Sequence, residues 1–451
     1  MSEIIILLLI AFFFLINIGI GLFLSRKKDV ESFFIANRNL GLFQSVMTIN
    51  GTFIGAMTLL VYTAFVFTFG ISALWIFVGY AIGFFIFSFF AVYLKRYSKD
   101  KQFYTITDYF KDRFGKKVAS IVILVISIWY FGTLSAQFIG GGAVLSTLTG
   151  FSFQFSAILM CMVIVTYLLL GGFQSVVKTD VFQFLFFFII ILVLAFSFQR
   201  DINVSMDHLN VFNAGIVNIV AFLLYGIMAP FATQDFWQRI FAMKDEKTVK
   251  RTFVISAGTV LIIAVCLTYI GLIARTIYGT SISENVAALY SFTQMVPPIL
   301  VGFVAVAFFA AILSTIDTFL FLLAVNVTND ILEIPTSNAK KRLFFLRVSI
   351  LVIGILSLCL ALVYPHIVDI TIIFKSLGLA VAPLVIIIWF TKGNSVAMIV
   401  TLVVSIVLTL GLSATGFVQP ELVYVSMISG FFVYGLTAGI LRFIKPLRSQ
   451  S

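Results

Sequence analysis

Runs of about twenty apolar residues, the length of helix that crosses a bilayer core, recur along this chain from one end to the other. They fall near 3–24, 42–68, 73–95, 118–147, 153–171, 178–199, 212–233, 252–278, 298–328, 343–364, 367–390, 394–414 and 422–443. Inside lipid every backbone N–H and C=O must be satisfied within the protein, and an apolar run of this length does so as a helix. The reading is therefore an all-α integral membrane protein of about 13 transmembrane helices. Composition agrees: 10% of the 451 residues are charged, against about a quarter in a soluble domain. The first run is too long for a signal-peptide core and lacks a small-x-small cleavage site, so it counts as a helix.

The loops between the runs are short and basic. Arg26, Lys27, Lys28 and Arg38 follow the first run, and a cluster from Lys95 to Lys117 follows the third. Arg239, Lys244, Lys247, Lys250 and Arg251 follow the seventh, and Lys340, Lys341, Arg342 and Arg347 the ninth. In all, 26 of the 29 Lys and Arg fall on one side, with Arg200 and Arg275 on the other and Lys375 inside a run. The positive-inside rule makes the richer side cytoplasmic, which puts the N-terminus outside and the C-terminus inside. The net charge of +11 is explained by these loops. No basic face interleaved with aromatics suggests nucleic acid, and no obligate protein partner is evident.

Catalytic and resident-metal chemistry find no constellation. Cys161, Cys266 and Cys359 lie in apolar runs without ligand spacing, and His208 and His366 stand far apart. The expected polypeptide is a single membrane domain over 1–451 with its function inside the membrane.

Polar groups at bilayer depth are the informative ones. Asp180 sits just inside the sixth run and Asp317 near the middle of the ninth. An acid there costs about 2.5–3.5 kcal/mol even on lenient scales, which marks a functional site; the competing reading is a hydrogen-bonded acid joining two helices. Ala311, Ser314, Thr315 and Thr318 follow at i, i+3, i+4 and i+7, one helix face, with Asp317 at its border. Hydroxyls beside a carboxylate suit a hard cation. In the second run, Gly51 and Gly55 stand four apart. They fit either close helix packing or an unwound segment whose carbonyls coordinate ions.

At this point the chain resembles the solute:sodium symporter family, with its LeuT-like inverted repeat. The resemblance is carried by Asp29 through Gly41, Thr105 through Phe110 with Arg113-Phe114-Gly115, and Tyr167 through Gly172. It continues in Ser175-Val176, Thr179 through Gln183, Gln234-Asp235, Gln238-Arg239, Lys244-Asp245-Glu246, Ser314 through Asp317, and Gly378 through Pro383 to Trp389. It implies two inverted five-helix repeats with broken helices, about 42–199 and 212–390. An extra N-terminal helix at 3–24 and two C-terminal helices at 394–443 flank them. It implies sodium (Na+) as coupling ion, held by Gly51, Ile54, Ala311, Ser314 and Thr315. Some members bind a second sodium, at positions matching Asp180, Ser314, Asp317 and Thr318. A proton contribution stays open.

The resemblance places the solute among Thr58, Gln137, Tyr225, Thr233 and Lys375. Lys375 suits a carboxylate or other anion, or else snorkels or pairs with Asp369. Sialic acid is disfavoured, because its transporters carry an arginine at the position of Thr133. Proline is disfavoured by Phe53, where its transporters have an acid. The expectation is a sodium-coupled symporter importing a small solute, a carboxylate or amino acid, across the plasma membrane (the inner membrane in a two-membrane cell). The alternative is a transporter-like solute sensor without coupled uptake. A membrane enzyme is not expected.

Overall fold

The computed structural model describes residues 3–25, 30–197, 206–279, 298–419 and 421–448, with Ser281 and Val296. Arg26, Lys27, Lys28, Asp29 and Arg200, which entered the loop-charge and motif readings, lie outside the described residues. The described residues form helices: α1 (Glu3–Ser25), α2 (Val30–Ile35), α3 (Leu42–Phe53), α4 (Tyr62–Phe69), α5 (Trp75–Tyr97), α6 (Ile106–Phe114), α7 (Lys116–Thr149), α8 (Phe153–Ser197) and α9 (Gly215–Ala232). There follow α10 (Gln234–Ala242), α11 (Glu246–Tyr278), α12 (Pro298–Val325), α13 (Ala339–Val363), α14 (Ile367–Leu379), α15 (Val381–Phe390), α16 (Ser395–Ala414) and α17 (Leu422–Arg448).

Among the described residues, eleven helical segments are long and apolar enough to cross a membrane. Two of them, Met57–Tyr97 with 41 residues and Phe153–Ala195 with 43, are longer than one crossing needs. Each is broken at a glycine with positive φ, Gly70 (φ 65°) and Gly172 (φ 59°). At Gly172 the Phe33 ring stands where a side chain would be, 2.5 Å from the place of a Cβ, so space and φ both require glycine there.

α12 is the most deeply buried of these segments, packed on α7 and α8, while α16 and α17 pack on each other at the periphery. α5 packs on α9 and α11. Gly83 lets α5 and α9 meet at backbone distance, since a Cβ there would lie 2.6 Å from the Gly226 carbonyl oxygen. The outward side chains are apolar, Phe12, Leu15, Phe390 and Phe432 among them, as a lipid-facing surface needs.

The loops sort onto two faces. On one, Arg38 pairs with Glu31 (2.7 Å) and donates to the Phe103 carbonyl (2.9 Å), Lys111 and Lys116 both reach Glu333, and Arg113 donates to the Thr391 carbonyl (2.8 Å). The two lysines hold the Glu333 carboxyl below its usual range. Burial does the opposite to Asp108, the N3 residue of α6 in a capping box with Thr105, and raises its carboxyl. On the other face, Ser72 accepts from the Ala214 N–H (2.8 Å) and Trp75 donates to the Val211 carbonyl (2.9 Å).

One loop needs correction. The seventh run, read as 212–233, ends at Ala232, but the stretch after it, read as a basic loop, begins as a buried helix. After an extended residue (Thr233, φ −70°, ψ 101°) the chain continues as α10, all nine of whose residues are buried. Arg239, counted among the loop charges, is 0% exposed inside the protein. Arg342 is likewise buried, its guanidinium 4.2 Å from the centre of the Phe34 ring. The charge bias of the remaining loops is unaffected.

Candidate functional site

Two breaks at mid-bundle organise the site. In the first, α3 ends at Phe53, where Ile54 turns extended (φ −99°, ψ 92°). The last rung of its ladder is the Ile54 N–H to the Asn50 carbonyl, 3.1 Å. The Thr315 hydroxyl donates to the Thr52 carbonyl (3.1 Å) and the Thr58 hydroxyl to that of Phe53 (3.0 Å). Gly51 and Ile54 line a narrow crevice with Ala311 and Ser314. Gly55 is required by the approach of α12 and α7: a Cβ would lie 2.8 Å from Gln137 Oε1 and 2.9 Å from Thr315 Cβ. The second break is Thr233, between α9 and α10. Pro230, which has no N–H to offer the helix, stands one turn before it.

Four of the five residues expected at the principal sodium site, Gly51, Ile54, Ala311 and Ser314, thus share one crevice. Thr315 is at its edge, bonded across it to α3. The Ser314 hydroxyl donates to Asp180 Oδ1. Both hydroxyls send their protons elsewhere and keep lone pairs, the arrangement a cation requires.

Behind the crevice lies a buried charged cluster. Asp180 Oδ2 accepts from Thr48 and, at 3.0 Å, from Arg239 Nη2. The same guanidinium donates to Thr318 Oγ1 (2.9 Å), Thr52 Oγ1 (2.5 Å) and Thr48 Oγ1 (2.8 Å). Asp317 faces a different way: Oδ2 accepts from the Tyr167 hydroxyl (2.9 Å) and the Thr179 hydroxyl (3.4 Å), and Oδ1 is buried without a partner. Of the four residues expected around a second sodium, Asp180, Ser314 and Thr318 therefore gather around Arg239 and its pair, and Asp317 stands beside them with an unused oxygen. The sequence reading missed Arg239 as a site residue. The available signal was the segment Phe236-Trp237-Gln238-Arg239-Ile240-Phe241-Ala242, which is too apolar for a solvated loop.

All five expected solute contacts, Thr58, Gln137, Tyr225, Thr233 and Lys375, line one cavity of about 170 Å³ between the breaks. Lys375 Nζ stands 5.3 Å from the centre of the Tyr225 ring. Asp369 accepts from Tyr364 (3.0 Å), and no ion pair of Lys375 occurs among the described residues. Most of the wall is aromatic. Phe53 meets Tyr80 at 4.6 Å and Phe77 at 5.8 Å, both edge-to-face, and Tyr130 meets Phe319 at 4.8 Å. These rings went unnoticed in a chain with 53 Phe, where an aromatic carries little information until its neighbours are known.

The Sodium:solute symporter family model matches residues 33–404, most of the chain. This chain belongs to that family. It is 24% identical to the high-affinity choline transporter 1 of Drosophila melanogaster over 79% of its own length, and spans 62% of that relative. It is 25% identical to the osmoregulated proline transporter OpuE of Bacillus subtilis (80% of this chain, 78% of that one). With the sodium/proline symporter of Staphylococcus aureus (strain Newman) it shares 22% (78% and 74%). In fold, this symporter-family chain superposes with a TM-score of 0.83 on a Na+-coupled sialic acid symporter in its substrate-bound outward-open state. The two share 19% identity over 97% of each chain. A nucleobase-cation-symport-1 family transporter scores 0.55 at 15% identity, covering 89% of this chain and 92% of that one. The family is one of transporters, not enzymes, and this member is a multi-pass membrane protein.

Proposed function

We propose that this protein is a sodium-coupled symporter that imports a small solute bearing a carboxylate across the plasma membrane by alternating access. The observation that carries it is the pairing of an ion crevice with a solute cavity at one helix break. Gly51 and Ile54 stand beside the hydroxyl face of α12 on one side of the break, and Lys375 looks into a cavity on the other. Freed carbonyls next to a broken helix are how such folds hold a coupling ion. The principal sodium site is assigned to Gly51, Ile54, Ala311, Ser314 and Thr315. A second ion is assigned beside Asp317: Arg239 compensates Asp180, while Asp317 Oδ1 in the same buried cluster has neither a counter-charge nor a hydrogen-bond partner. The reading has thirteen crossings, with the two over-long segments among the eleven each taken as two. The inverted repeats are then 42–199 and 212–390, each opening on a broken helix, with the N-terminus outside and the basic loop face in the cytoplasm.

The test is uptake into proteoliposomes under an inward sodium gradient, with Ser314 and Thr315 both replaced by Ala. Losing two oxygen ligands from a dehydrated cation should lower sodium-driven uptake by orders of magnitude while the protein still inserts. Unchanged sodium affinity in the double variant would move the site elsewhere. A solute sensor would bind its ligand and show no sodium-driven flux at all.

A further inference from the structure

The cavity between the two breaks has a donor and acceptor pattern that narrows its ligand. Its threonines have committed their hydroxyl protons to the protein. Thr133 donates to the Trp129 carbonyl (2.8 Å), Thr233 to that of Ala229 (2.7 Å) and Thr371 to that of Ile367 (2.6 Å). Thr58 and Thr315 donate to the carbonyls of the α3 break. Gln137 Oε1 is held by the Ala56 N–H at 2.7 Å, which turns its amide N–H groups into donors for a guest. The strongest donor left is the Lys375 ammonium, with an aromatic face beneath it and no carboxylate paired to it among the described residues.

The cavity offers no comparable acceptor for a cation. Asp235 is the one carboxylate among its lining residues. It is 1% exposed and accepts the Tyr130 hydroxyl at 2.5 Å, which keeps it from a guest in the cavity. The Thr52 and Phe53 carbonyls, which could have received an ammonium, already accept the two threonine hydroxyls.

We infer that the solute is a monocarboxylate with a compact apolar body, of which an aryl acid is the best fit, bound carboxylate to Lys375 and body against Phe53, Tyr80 and Trp129. The inference rests on the symport reading above and names its substrate class. An amino acid fits worse, because its ammonium would sit near Lys375 without a counter-charge. An aromatic box also suits a quaternary ammonium, but the face of Tyr225 is already under a fixed positive charge. A sugar needs several donors and acceptors around its ring, and apart from the Gln137 amide and a few tyrosine hydroxyls this wall is aromatic and aliphatic carbon.

The experiment uses the full-length protein in proteoliposomes and radiolabelled phenylacetate as probe, with binding to the detergent-solubilised protein measured in parallel. Phenylacetate should accumulate on an inward sodium gradient. Unlabelled benzoate should compete, and phenylacetamide, phenethylamine, choline and glucose should not. Phenylalanine should compete about tenfold to a hundredfold more weakly, the fold-change of one charge-assisted hydrogen bond. Lys375→Met should lose phenylacetate binding by a similar factor and keep its sodium-dependent thermal shift, and Lys375→Arg should retain part of it. Sodium-driven uptake of proline, choline or a sugar, with phenylacetate neither bound nor carried, would overturn the inference and leave symport standing. Phenylacetate binding with no sodium-driven flux of any solute would instead overturn symport and leave the carboxylate site. Normal phenylacetate uptake by Lys375→Met overturns the assignment to that lysine. The competition series on the unaltered protein decides the chemistry even if that variant does not fold.

Discussion

At the scale of single residues, the pair of Asp180 and Arg239 shows how burial changes what a charge means. Both side chains are 0% exposed, and their contact at 3.0 Å is surrounded by the hydroxyls of Thr48, Thr52, Ser314 and Thr318. Removing one member leaves an uncompensated ion in the protein interior, which costs about 3–5 kcal/mol. Arg239→Gln should therefore lower the thermal unfolding temperature of the detergent-solubilised protein strongly. The double variant Asp180→Asn with Arg239→Gln should recover most of that loss, since two neutral amides keep hydrogen bonds without a stranded charge. A double variant as unstable as the single one would show that the pair is not what Arg239 contributes.

Among elements, the break between α3 and α4 is where backbone, proposed ion crevice and proposed solute cavity meet. Gly55 faces both Gln137 of α7 and Thr315 of α12, with no room for a methyl group. Gly55→Ala should drive α12 from α3 at a cost of about 1–3 kcal/mol. The loss should appear mainly as weaker sodium-dependent binding, because Thr315 gives up its bond to the Thr52 carbonyl. Unaltered sodium affinity in this variant would mean that α3 and α12 do not form one site. The same element shows what could be read beforehand. Gly51 and Gly55 suited a packing motif and an unwound segment equally, since their spacing is the same in both. Both hold: Gly55 packs closely against Gln137 and Thr315, and the helix also breaks at Ile54, with the hydroxyls of Thr58 and Thr315 reaching in from outside the glycine motif to the carbonyls of the break.

For the whole molecule, coupling is a matter of total charge. On the proposed count, two sodium ions with one monocarboxylate move one positive charge inward per cycle, and the membrane potential then contributes about 2.3 kcal/mol per 100 mV. Uptake by the unaltered protein should rise when an inside-negative potential is imposed. Asp317→Asn, which removes the carboxylate without a counter-charge, should make uptake indifferent to that potential. Indifference in the unaltered protein would reduce the count to one sodium.

Hydropathy and loop charge determined the membrane class and the approximate spans, because lipid imposes a length and a polarity on each segment without reference to its neighbours. The face of Ser314, Thr315 and Thr318 was legible too, since helical periodicity is local. The meaning of Arg239 was not. Its sequence neighbourhood has the charge of a cytoplasmic loop, and only the return of the chain as α10 beside α8 and α12 places it against Asp180. The aromatic wall around Lys375 was equally hidden, because it is assembled from rings on α3, α5, α7, α9 and α12. Sequence fixes what a residue can do within one turn of its own helix, and contacts between distant helices decide which of those capacities is used.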